Sequence, residues 1–122
     1  MIIEKRFDIQ VGAEGEKVSK TFELDKTITV LKGLRLGANK EAHLYYRGTQ
    51  RIEINGQEIL PEGYESKYLM SSINIPLDMR YKTLDNLAPG NGKIKLEYTD
   101  NTSGEVVFAA YRVSLYILCE GE

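Results

Sequence analysis

Tryptophan is absent from this 122-residue chain, which also holds one cysteine, one histidine and three prolines. The single thiol, Cys119, excludes an intrachain disulfide. The single imidazole, His43, leaves little material for a metal centre of the usual His and Cys type, and no metal or other cofactor is expected. No run of about eighteen apolar residues is present, so no segment is a candidate for a transmembrane helix and no membrane partner is expected. The opening MIIEKRFDIQ carries charge at Glu4, Lys5 and Arg6 where a secretory signal would be apolar, which predicts a cytoplasmic protein with no signal peptide. A basic excess is missing too: 16 Lys and Arg stand against 18 Asp and Glu, a formal net charge of −2. Dedicated nucleic-acid binders are usually strongly basic, so no specific nucleic-acid partner is expected.

Helical periodicity is also missing. Nowhere do apolar residues recur at i, i+3, i+4 and i+7 beyond one turn. Alternation with period two takes its place. Ile3, Lys5, Phe7, Ile9 and Val11 share one register, and Glu4, Arg6, Asp8 and Gln10 share the other, as in a strand with one wet face. Val18, Phe22 and Leu24 alternate against Ser19, Thr21 and Glu23. In the third run, Ile28, Val30, Leu34 and Leu36 keep the pattern, while Leu31 falls on the outer face and Lys32 on the inner. Gly33 inside that run predicts a bulge or the close approach of another backbone.

Further strands are expected at 42–46, 51–54, 57–60, 65–70, 79–84 and 93–99, with an irregular stretch from Ser71 to Asp78. Asn55-Gly56 between two extended runs is a strong hairpin signal, because both residues tolerate the positive φ of a type I′ turn. Val106 to Leu118 reads as one long strand with both registers substantially apolar. The whole predicts an all-β chain: a single antiparallel β-sandwich domain over 1–122, jelly-roll-like, with about eight to ten short strands and almost no helix. Its core is expected at Phe7, Ile9, Phe22, Val30, Leu34, Ile94, Leu96, Val113, Leu115 and Ile117.

Candidate chemistry is thin. Gly90-Asn91-Gly92-Lys93 resembles part of a phosphate loop, but Leu87 and Ile94 stand where a Walker motif needs Gly and Ser or Thr. An alternating strand, not a helix, follows it. His43 has no carboxylate and nucleophile placed beside it by local spacing, and reads as a surface or rim histidine. Cys119 shares the register of Ile117 and reads as a buried or terminal thiol. No two carboxylates stand out as an acid and base pair. Asn101-Thr102-Ser103 matches the N-glycosylation triplet, without a secretory signal to give it meaning. No catalytic set emerges, and the chain is expected not to be an enzyme.

Two patterns point to surfaces. Lys26, Lys32, Arg35, Lys40, Arg47 and Arg51 crowd the segment 26–51, whereas Glu53, Glu58, Glu62 and Glu65 crowd 52–66. Such segregation either orients identical subunits or turns a basic face to nucleic acid, against the plain alternative of chance clustering on a solvated surface. The chain also has 8 tyrosines, several near its middle (Tyr45, Tyr46, Tyr64, Tyr68, Tyr81), a residue type suited to interfaces and to sugar stacking. In the 106–118 strand, Val106, Phe108, Tyr116 and Leu118 take the register opposite the better core positions. A bulge, a covering segment or a partner would each account for that. The expected interface residues are therefore Phe108, Tyr116, Leu118, Tyr45, Arg47, Arg51 and Tyr64.

The stretch Arg51-Ile-Glu-Ile-Asn-Gly-Gln-Glu-Ile-Leu-Pro-Glu-Gly-Tyr64, the loop Ala88-Pro-Gly-Asn-Gly-Lys93 and the end Val113-Ser-Leu-Tyr-Ile117 together resemble small all-β bacteriophage virion proteins. These are the short jelly-roll-like subunits that form vertices, minor capsid positions or head decorations. The resemblance implies a structural, non-enzymatic role in a symmetric assembly, a place in the virion, and partners that are identical subunits or other virion proteins. A carbohydrate- or ligand-binding sandwich that uses its surface tyrosines is the alternative.

Overall fold

The computed structural model describes residues 2–69, 81–102 and 104–121. Outside them lie the irregular stretch expected at 71–78, the ends 70 and 79–80 of two expected strands, and Ser103 of the glycosylation triplet. The side chain of Tyr68 is likewise outside.

The described residues form eight strands in chain order: β1 (Ile2–Val11), β2 (Lys17–Glu23), β3 (Ile28–Ala38), β4 (Gly48–Ile54), β5 (Gln57–Glu65), β6 (Lys82–Leu87), β7 (Lys93–Asp100) and β8 (Tyr111–Gly121). Folding the chain in half accounts for the outer pairings. β1 runs antiparallel to β8, β2 to β7, β3 to β6 and β4 to β5. The resulting ribbon curls so that β8 also meets β3, and β7 also meets β4. Two four-stranded antiparallel sheets result, ordered β1-β8-β3-β6 and β2-β7-β4-β5. That order is a jelly roll, the double-sheet form of an eight-stranded antiparallel chain.

The hairpin at the ribbon's closed end follows from its turn residues. Asn55 and Gly56 have φ of 55° and 76°, the left-handed pair that a type I′ turn requires. The core between the sheets is built from alternate residues of facing strands, among them Leu34, Ile52, Ile94, Leu96, Val113, Leu115 and Ile117. Ile9 is buried as expected, whereas Phe7, Phe22 and Val30 are half-buried. Phe7 and Phe22 stack at 4.6 Å and close the side of the sandwich where β1 passes β2.

At Gly33 both expectations hold. The β3–β8 register shifts between Ile28 and Val30 and again between Leu31 and Gly33, and between the two shifts Leu31 turns inward to full burial. A Cβ on Gly33 would lie 2.8 Å from Tyr81 Cβ and 2.9 Å from the Lys82 carbonyl oxygen.

Three expected strands are corrected. Residues 42–46 are not extended: they lie within helix α1 (Glu41–Arg47). The helix is too short to show a repeat, and of its described side chains only Leu44 and Arg47, spaced i and i+3, turn fully inward. The run 65–70 gives way after Glu65 to a 3-10 turn, Ser66–Leu69, whose Leu69 is buried. The long final strand begins only at Tyr111. The carbonyls of Val106 and Val107 accept from Arg47 and approach the His43 ring instead of joining a ladder. Val106 and Phe108 therefore answer to Arg47 of α1, not to a sheet.

Candidate functional site

The best-built polar constellation sits at the end of the sandwich where α1, the end of β7 and the start of β8 converge. Asp100 continues the inward register of Ile94, Leu96 and Tyr98, so the strand carries a carboxylate into the interior. Arg47 is brought to it by the last turn of α1. The two form a two-pronged ion pair, Nε to Oδ1 and Nη2 to Oδ2, each 2.9 Å, with both side chains at most 1% exposed. Asp100 also accepts from the Gly15 amide at 2.9 Å and from the Tyr111 hydroxyl at 2.7 Å. Because Tyr111 gives its hydrogen to Asp100, Tyr98 is the donor in the 2.8 Å Tyr98–Tyr111 bond. Arg47 reaches outward as well, to the Val106 carbonyl at 3.0 Å and to Glu14 at 3.4 Å. Phe108 lies over its guanidinium at 5.3 Å.

These contacts decide the charge states. Burial pushes the Asp100 carboxyl up, but the Arg47 fork, the Gly15 amide and the Tyr111 hydroxyl hold it below the usual carboxylate range. Burial is also the main reason the Tyr111 and Tyr98 hydroxyls are held far above ordinary tyrosine. Asp100 has each oxygen engaged by two protein donors, which leaves no direction open for a substrate proton. Its work is to fasten: Arg47 ties α1 and the 101–110 loop to β7. Asn101 adds to the tie, donating from its backbone and its side chain to the Arg47 carbonyl at 2.8 and 2.9 Å.

On the outside of this fastened end stand three large exposed apolar side chains. Tyr45 and Tyr46 on α1 are 47% and 50% exposed, with ring centroids 4.9 Å apart and edge-on. Val107 is 90% exposed, and its carbonyl lies 3.1 Å from Nε2 of His43 on the same helix. A separate open depression of about 240 Å³ lies on the β2-β7-β4-β5 sheet, lined by Lys17, Thr49, Gln50, Arg51, Gly63, Glu97, Thr99 and Asn101. Among the described residues, no group of three or more His, Cys, Asp and Glu is gathered to hold a metal, and no helix is long and apolar enough to cross a membrane.

The expected interface residues scatter. Tyr45 is presented outward. Arg47 is not, because the Asp100 carboxylate at the end of β7 draws it into the interior. Phe108 is half-buried on Arg47 and Tyr111. Tyr116 and Leu118 do face outward from β8, but Arg35 lies over the Tyr116 ring at 4.0 Å and Arg6 at 6.0 Å. Tyr64 is half-buried against the core. Arg51 bonds to Glu53 at 2.6 Å and Glu58 at 2.7 Å. The basic and acidic segments meet through Arg51, whereas Lys32 and Arg35 pair with acids outside the acidic segment, Glu120 and Glu4. His43 is a rim residue, and Cys119 is buried and free.

Asp100, Tyr98 and Tyr111 were not singled out by the sequence. The signal was the acid standing on an otherwise apolar register.

Comparison of the chain with protein-family models, with curated proteins and with solved structures finds no match.

Proposed function

We propose that the protein is a non-enzymatic structural subunit of a symmetric assembly, of the kind that occupies a vertex, minor capsid or decoration position on a bacteriophage head. The jelly-roll order supports this as an analogy of fold, since viral capsid subunits, lectins and cupins share that architecture. One histidine gives little basis for a cupin-type metal site. The observation that carries the reading is the exposed Tyr45, Tyr46 and Val107 at an end made rigid by the buried Arg47–Asp100 pair. Rigidly held aromatic side chains are what interface hot spots are made of.

Saccharide binding is the second reading, favoured by the same two tyrosines. Against it, the open depression on the β2-β7-β4-β5 sheet has no aromatic side chain among the described residues of its lining.

The test is a Tyr45→Ser, Tyr46→Ser variant compared with the parent chain by sedimentation over a concentration series, alongside a saccharide panel. Association through this end should weaken by about tenfold or more while the thermal midpoint holds, and no sugar should bind. Unchanged association would refute the reading. Sugar binding lost in the variant would replace it with the second one.

A further inference from the structure

Each four-stranded sheet has two edges, and three of the four are guarded. β5 carries Pro61 and two register shifts against β4. β6 is interrupted by Asp85 and Asn86, whose φ of 51° and 57° break its register with β3. β2 is short and carries exposed Lys20 on its inward register, opposite buried Leu96. Prolines, bulges and inward charges are the devices that keep sheet edges from pairing. β1 has neither of the first two. It pairs with β8 in unbroken register from Ile2 to Val11, and no strand adjoins its other side among the described residues. Its one inward charge, Lys5, is drawn across to Asp25 at 2.6 Å and so does not guard the edge.

We propose that β1 is the pairing edge for the β1 of a second copy of this chain, antiparallel about a two-fold axis, joining two β1-β8-β3-β6 sheets into one continuous sheet. The strand's own sequence selects the register. With Phe7 opposite Phe7 of the second copy, Arg6 faces Asp8, Glu4 faces Gln10, Lys5 faces Ile9 and Ile3 faces Val11. Both copies of the Arg6–Asp8 contact form, on a face where each copy already holds Arg6 and Asp8 at 2.9 Å. Of the neighbouring registers, centring on Ile9 sets Asp8 opposite Gln10 and Arg6 opposite Gly12 and so forms no Arg6–Asp8 contact, and the others fail on charge. Centring on Arg6 or on Asp8 sets like charges face to face, and centring on Lys5 sets Lys5 against itself. Shifts that pair odd with even residues would set inward side chains beside outward ones. An isologous contact of this kind closes as a dimer and leaves the Tyr45–Tyr46 end free for other contacts.

The full chain tests this by charge reversal. Arg6→Asp places two acids opposite each other in both halves of the contact and should weaken dimerisation by about tenfold or more. Adding Asp8→Arg restores opposite charges and should restore the dimer. The Tyr45→Ser, Tyr46→Ser variant should keep it, which separates this contact from the end patch. Register is read independently by mixing a Glu4→Cys protein with a Gln10→Cys protein under mild oxidation. The mixture should form a disulfide-linked pair that neither protein forms alone. A parent chain that stays monomeric, a dimer indifferent to Arg6→Asp, or cross-links within either single variant would overturn the proposal.

Discussion

Arg47, at the close of a short helix, donates two parallel 2.9 Å bonds to Asp100, at the close of a strand, across the end of the sandwich. Removing one partner strands the other in the interior. Asp100→Asn should therefore lower the free energy of unfolding by about 3–5 kcal/mol, measured by urea denaturation. Replacing both residues with apolar ones of similar size should recover much of the loss, and a loss under about 1 kcal/mol for Asp100→Asn alone would mean the pair is not what fastens this end.

The same pair sets the acid limb of stability. Asp100 sits below its ordinary value of 3.8, so its stabilisation is complete above that value and is lost as pH falls through the lower folded-state value. Asp8 adds to the trend, held down chiefly by its bond from Arg6. Stability should be flat from neutral pH to about pH 5 on account of these two groups and then fall. In Asp100→Asn the fall should be shallower, as read from urea midpoints at each pH.

Gly33→Ala tests the bulge in β3. The new methyl would meet Tyr81 Cβ at 2.8 Å and the Lys82 carbonyl oxygen at 2.9 Å, one of them main chain and unable to swing aside. A destabilisation of about 1–3 kcal/mol is expected, as for overpacking elsewhere. Gly12→Ala, with open space around it, is the control and should differ little from the parent chain.

How far the sequence foretold this arrangement depends on what each segment answers to. β1 and β7 were legible because their burial is set by alternation alone, and the β4–β5 hairpin because Asn55-Gly56 admits few other conformations. α1 was not, since a seven-residue helix held by Leu44 and Arg47 has no room to repeat its pattern. The 106–110 stretch looked like strand because Val106 and Phe108 are apolar, but their role is to cover and bond Arg47, a long-range partner that local periodicity cannot reveal. The fastened end was not legible: Asp100 continues the inward register of Ile94, Leu96 and Tyr98, but an acid ahead of Asn101 reads as the start of a polar turn, and its partner Arg47 came from a segment read as the end of a strand.

Sedimentation equilibrium of the purified parent chain over a wide concentration range tests the assembly account most directly. The account predicts a mass that rises with concentration through a dimer of the 13.8 kDa chain, with the dimer lost in Arg6→Asp and larger species lost in Tyr45→Ser, Tyr46→Ser. A single 13.8 kDa species at every concentration would contradict it.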